Sequence, residues 1–167
     1  MSKKLLDHFQ STQLSIEERL ASGKKLRDKF SRIKQGEYKP AANRVDPISI
    51  LEEQGKTRIP DLVPVRYARM LGSPFAFLRG GAAIMAADLA ANSKTTGINV
   101  QACGDMHIAN FGVFASAERN LVFGINDFDE TLPGPWEWDL KRLVASIVAA
   151  GRFLGATKIK CEESVLS

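Results

Sequence analysis

Cys103-Gly104-Asp105-Met106-His107-Ile108-Ala109-Asn110-Phe111, followed by Asn126-Asp127-Phe128-Asp129-Glu130, is the stretch whose reading decides the fold. Before it, Gly97-Ile98-Asn99-Val100-Gln101-Ala102-Cys103 alternates like a strand and leads into the turn pair Gly104-Asp105. Between the two acidic segments lie the apolar runs 110–115 and 121–125, joined by the polar turn Ser116-Ala117-Glu118-Arg119-Asn120. They read as a β-hairpin that carries Asp105, Asn110 and the second acidic cluster to one end of a small sheet.

Those residue types suit phosphoryl transfer, which needs charge around the moving group and an oriented nucleophile. Asp105 is placed to accept the proton of an acceptor hydroxyl, a step typically worth about 10²–10⁴ in rate. Asn110, one loop turn on, offers an amide oxygen to magnesium without adding charge. Asp127 offers the hard carboxylate oxygen magnesium prefers, and Asp129 and Glu130 offer a second contact. The plainer reading is also open, because Asp, Asn and Gly form turns and Asx side chains cap loops. Three carboxylates converging without a cation would repel one another.

His107 beside Gly104-Asp105 hints at a two-metal hydrolase, but such centres use several histidines, and the only other one is His8. A structural His107, bonding its own loop, is the simpler expectation. Asp139, in Trp136-Glu137-Trp138-Asp139-Leu140-Lys141-Arg142, either accepts backbone N–H bonds from the Asp105 loop or is an ordinary exposed helix residue. Lys141 and Arg142 are expected in solvent or paired with Glu137 one turn back. Thr131-Leu132-Pro133-Gly134 reads as a loop. Pro135 opens a helix through Leu140, Leu143, Val144, Ile147 and Val148 to about Gly151.

Upstream, Ser73-Pro74-Phe75-Ala76-Phe77-Leu78-Arg79 reads as a short strand or extended piece. Gly80-Gly81 then precedes an alanine-rich helix over 82–91. Arg79 with Gly80 and Gly81 is a candidate phosphate site, because N–H groups at a helix start favour anions; alternatively the glycines only permit a tight turn. Pro60 to Leu71 and Asp46-Pro47 to Gly55 each read as helical, with Tyr67 and Met70 in the core. Ser15-Ile16-Glu17-Glu18 carries a capping-box pattern. It opens a helix with apolar positions Ile16, Leu20, Leu26, Phe30 and Ile33, ended by Gly36 and Pro40.

Charge divides unevenly. Residues 1–45 hold eleven Lys and Arg against five Asp and Glu; the rest hold twelve against fourteen. Because the basic residues follow a helix period, a solvated basic helix is the favoured reading over a nucleic-acid contact. At 44% apolar and 25% charged the 167-residue chain is not of disordered composition. No apolar run approaches the roughly 18 residues of a membrane span, and no signal peptide is visible. Cys103 and Cys161 lack metal-ligand spacing, so a reduced, cytoplasmic setting is expected.

Asp46-Pro47 with Leu51-Glu52-Glu53-Gln54, the segment Leu62 to Met70, Ser73 to Gly80, Gly104 to Gly112, and Asn126-Asp127-Phe128-Asp129-Glu130 through Arg142 together resemble a large bacterial family, domain of unknown function 2252. The resemblance runs from about Glu17 to about Phe153. The family's central motifs are similar to those of aminoglycoside phosphotransferases and other protein-kinase-like enzymes: Gly-Asp with an Asn a few residues on, then Asp-Phe, then Asp-Leu on a helix. The resemblance implies Asp105 as base, Asn110 and Asp127 as magnesium ligands, and Asp139 as the helix residue that fixes the loop. It implies Mg2+ and ATP as cofactors and a small-molecule acceptor of unknown identity. Cys103 departs from the pattern, standing where those enzymes usually have His, and the hairpin to Asp127 is slightly long.

The expected fold is therefore α+β, mostly helical, with a small antiparallel hairpin carrying the site, resembling part of a kinase-like catalytic lobe. Its expected divisions are a basic helical extension and linker (1–45), a partial catalytic-loop region (46–155) and a tail (156–167). No Gly-rich phosphate loop with a following Lys is present. The chain is accordingly expected to be an incomplete phosphotransferase, inactive alone and prone to self-association through an exposed apolar helix. The alternative is a non-catalytic kinase-like binding module or a truncated remnant.

Overall fold

The computed structural model describes residues 14–166; residues 1–13, among them His8, and Ser167 lie outside the described residues. Two compact units divide the chain, 1–37 and 38–167.

In the first unit, Ser15 Oγ accepts from Glu18 N at 3.1 Å and Glu18 Oε2 accepts from Ser15 N at 2.7 Å. This reciprocal box satisfies two otherwise unpaired donors at the start of α1 (Ile16–Lys29). The helix does not run on to Gly36 as its pattern suggests. Phe30 leaves it in extended backbone, and Ser31 recaps a short α2 (Arg32–Gln35) through a bond from Lys34 N. α1 buries none of its residues, so its loose apolar periodicity is not a packed stripe.

The second unit begins its helices with α3 (Pro47–Gly55), where Asp46 accepts from Ser49 N and Pro47 takes the first turn. A 3₁₀ turn (Pro60–Leu62) leads into α4 (Val63–Met70). Contrary to the expected strand or extended piece, Ser73 to Arg79 is not extended. Ser73 Oγ accepts from Ala76 N at 2.9 Å, Pro74 pre-sets the first turn, and α5 (Pro74–Gly80) follows. Ser-Pro is a helix-start signal, and it outweighs the strand preference of the two phenylalanines. α6 (Ala82–Asn92) begins at once, bent by 76° from α5. Leu51, Met70 and Ile84 form a core cluster with Ile50 and Tyr67 packed on it, and Tyr67 donates to the Leu51 carbonyl. Tyr67 and Met70 thus belong to the core. The 38–46 segment is tied to α6 by a bidentate Arg44–Asp88 pair at 2.7 Å.

β1 (Asn99–Ala102) pairs antiparallel with β4 (Leu132–Pro135), while β2 (Phe111–Ala115) pairs with β3 (Leu121–Ile125) in a separate two-stranded sheet. The hairpin falls where the pattern put it, but β4 corrects the loop expected at 131–134. Two prolines argue against a strand because they lack the N–H of the ladder. Here Trp136 N donates to Ile98 O, so by alternation Pro133 and Pro135 turn their nitrogens away from β1. Pro135 is the N-cap of α7 (Trp136–Phe153), where it was expected as the first helical residue. After Gly155, at φ +80, α8 (Lys158–Leu166) packs on α7, and Cys161 is buried beside Gly151. Within the expected tail, residues 158–166 are helical. Phe153 and Leu154 are exposed.

The architecture is α+β, helices with two small antiparallel sheets. Among the described residues no single helix is long and apolar enough to cross a membrane; α5 and α6 together meet the length and composition only as a bent pair.

Candidate functional site

One face of α7 holds the loop that follows β1. Asp139, Arg142 and Ser146 stand at i, i+3 and i+7, the spacing that aligns side chains on one side of a helix. All three are buried. Asp139 Oδ2 accepts from Cys103 N at 2.7 Å and its Oδ1 from Gly104 N at 3.0 Å. Arg142 Nε donates to Asp105 Oδ1 at 2.6 Å and Nη2 to the Leu78 carbonyl at 2.7 Å. Ser146 Oγ accepts from Ile108 N at 2.9 Å. The expectation that Lys141 and Arg142 are solvated or paired with Glu137 is corrected. Lys141 Nζ donates to Ser93 Oγ, and Glu137 Oε1 accepts from both Thr96 N and Thr96 Oγ1. Partial burial lowers the Lys141 pKa.

The loop is also tied to the second acidic segment. Asn110, 5% exposed, donates from Nδ2 to the carbonyls of Asp105 (3.2 Å) and Asp127 (3.1 Å). Cys103 Sγ donates to the Asp127 carbonyl, and burial raises the thiol's pKa, keeping the proton on sulfur. Gly104, at φ +82, lies so close to Glu130 that a Cβ there would meet the Glu130 carbonyl oxygen at 2.1 Å. No other residue type fits both demands.

These segments line a cleft of about 990 Å³. Asp105, Asp127, Asp129 and Glu130 reach it, together with His107 and the arginines Arg58, Arg66, Arg69 and Arg79. Asn110, by contrast, is not among its lining residues. Burial, then the charges of Asp105, Asp127 and Asp129, raise the Glu130 pKa. His107 is 6% exposed and meets Phe75 edge to face. Its Nε2 lies 3.7 Å from Asp105 Oδ2, and its Nδ1 has no hydrogen-bond partner among the described residues. Arg79, in the last turn of α5, reaches the cleft with Gly80 and Ala82. Gly80 also serves packing: a Cβ there would lie 2.5 Å from Met70 Cγ, and its carbonyl accepts from Arg66 Nη2. Gly81 is the N-cap of α6 and is not among the lining residues.

Among the described residues, no three of the His, Cys, Asp and Glu side chains converge to hold a metal ion. Magnesium does not require that, since it keeps several waters and takes one or two carboxylates alongside substrate phosphates. Asp127 and Asp129 meet this lesser demand by chemistry and by crowded negative charge. Asn110, its amide nitrogen bonded to two loop carbonyls, acts visibly as a brace.

Fold and cleft together define an α+β domain with an arginine- and carboxylate-lined site held by a long helix. The chain belongs to the family of uncharacterized proteins conserved in bacteria, domain of unknown function 2252, which matches over residues 58–167. The span leaves out Asp46 to Gln54 and continues through α8 to the chain's end. No curated protein and no solved structure matches the chain. Sequence reasoning missed Arg142, Ser146, Arg58, Arg66 and Arg69. The i, i+3, i+7 spacing of Asp139, Arg142 and Ser146 on one helix face was the available signal for the first two, and nothing local marked the cleft arginines.

Proposed function

We propose that this cleft is a phosphotransferase-type site, kinase-like in its catalytic-loop arrangement, that uses ATP and Mg2+ to phosphorylate a small molecule. The observation that carries the reading is Asp105: its carboxylate faces the cleft, while its loop is pinned through Cys103 N and Gly104 N by Asp139. Arg142 engages Oδ1, leaving Oδ2 to take the acceptor hydroxyl's proton as charge develops. Asp127 and Asp129 would hold the magnesium ion, which supplies charge neutralisation to the transferring phosphoryl group when bound. Asn110 keeps the two acidic segments at fixed separation. His107, largely excluded from water, shapes the site next to Oδ2.

Calorimetric titration with ATP tests this. Binding that requires magnesium and is lost in Asp127→Ala is the expected result, because among the described residues the Asp127 carboxylate accepts one exposed hydrogen bond, from Asp129 N. Absence of ATP binding at millimolar concentration overturns it. A second reading, a non-catalytic kinase-like binding module, draws on the Asp105–Arg142 pair, which already engages the carboxylate in a charge-assisted contact. ATP binding without transfer to any hydroxyl acceptor would favour it.

A further inference from the structure

We infer that the arginines of the cleft form a binding site for a small molecule carrying clustered oxyanionic groups, phosphates or carboxylates. Arg58 comes from the loop after α3, Arg66 and Arg69 from α4, and Arg79 from α5, yet all four line one cavity. Among the described residues none of them has a carboxylate within ion-pair distance, and the hydrogen bond Arg66 makes is to the Gly80 carbonyl. Asp105, a carboxylate of the same cavity, is engaged by Arg142.

Gathering cations without partners costs free energy that a bound anion recovers. Burial lowers the Arg66 pKa first and the neighbouring Arg58 charge next, against smaller opposing effects of Glu130 and Asp105. A planar guanidinium matches two oxygens of a phosphate or carboxylate at once, and a set of four suits several such groups better than one. Ala82, the first residue of α6, lies in the same cavity and adds the N-terminal end of a helix dipole. His107 is a separate observation pointing to a ligand: it is more than nine-tenths buried, it lines the cleft, and its Nδ1 is unpartnered among the described residues. The volume of about 990 Å³ accommodates a molecule of cofactor size. Such binding needs neither magnesium nor turnover, so it stands apart from phosphoryl transfer.

The test is calorimetric titration of the full chain with inorganic tripolyphosphate and, separately, with citrate, in the absence of metal and nucleotide. Arg58→Gln/Arg69→Gln removes two exposed side chains of the set, and Arg79→Gln provides an independent variant should the first unfold. At least one of the two anions is expected to bind with a submillimolar Kd. The double variant should bind it about tenfold or more weakly, and added salt should weaken it further. Tighter binding of tripolyphosphate marks a phosphorylated ligand, and tighter binding of citrate a polycarboxylate. Failure of both anions to bind at millimolar concentration, or equal binding by the folded variants, overturns the inference. Neither result depends on the Asp127→Ala measurement with ATP.

Discussion

Arg142 and Asp105 form an ion pair across the wall of the cleft, with the arginine 3% exposed and its Nε 2.6 Å from Asp105 Oδ1. The same guanidinium reaches the Leu78 carbonyl and Met85 Sδ, so it joins α5, α6 and α7 to the loop. Arg142→Met should destabilise the fold by about 3–5 kcal/mol, because it strands a carboxylate in a largely buried position. Asp105→Asn should cost a comparable amount from the other side. The double variant should cost clearly less than the two together. Chemical denaturation of the four proteins measures the coupling, which moderate salt should hardly change.

Asp139 works on backbone instead of charge. Asp139→Ala leaves Cys103 N and Gly104 N without their acceptor, and about 2–4 kcal/mol of stability should go with them. Asp139→Asn keeps one acceptor oxygen and should lose about half as much. Thermal unfolding separates the two. Equal melting temperatures for wild type and Asp139→Ala would show that the loop does not depend on this helix.

Two glycines with positive φ make an internal comparison. Gly155 sits at φ +80 with nothing within 4 Å of a built Cβ, so Gly155→Ala should cost only the left-handed backbone penalty, about 1–2 kcal/mol. Gly104→Ala adds a backbone collision with Glu130 at 2.1 Å. Its melting temperature should fall well below that of Gly155→Ala, with the 126–131 segment displaced.

His107 sets a pH dependence. Burial lowers its pKa, with Asp105 opposing and Arg79 and Arg142 reinforcing. The unfolded chain therefore takes up the proton first as pH falls. Stability is fully present above about 6.5 and is lost as pH drops from there toward the folded value. Glu130, raised by burial and its acidic neighbours, acts oppositely, adding stability as pH falls toward about 4.5. Urea midpoints of wild type should decline from about pH 7.5 to 5.5 more than those of His107→Gln; parallel declines would refute the assignment.

Much of the second unit was legible because its signals are local. Asp46-Pro47, the hairpin turn and the Gly80-Gly81 break each act within a few residues, and each lies where the pattern put it. Ser73-Pro74 carries an equally local signal, a capping side chain and a first-turn proline, and there the segment expected to be extended is a helix. β4 was not legible, since its prolines are tolerated only by a register that pairing with β1 creates. In the cleft, the acidic residues share two sequence segments and could be grouped in advance. The arginines reach it from α4, α5 and a loop, and Arg142 is oriented by contacts 37 to 64 residues away; only tertiary packing assembles them.

The pairing of β1 with β4 reaches beyond the strands themselves. Ala102 stands opposite Leu132, and Thr131 Oγ1 donates to the Ala102 carbonyl, while farther out Phe111 stands opposite Ile125. Asp105 and Asp127 lie on the two limbs between these rungs, as on a ladder closed above and below. Their spacing is set inside that frame and owes nothing to the hairpin's outer end. The turn at Ser116 to Asn120 can therefore lengthen, shorten or carry an inserted tag while the acidic pair stays where it is.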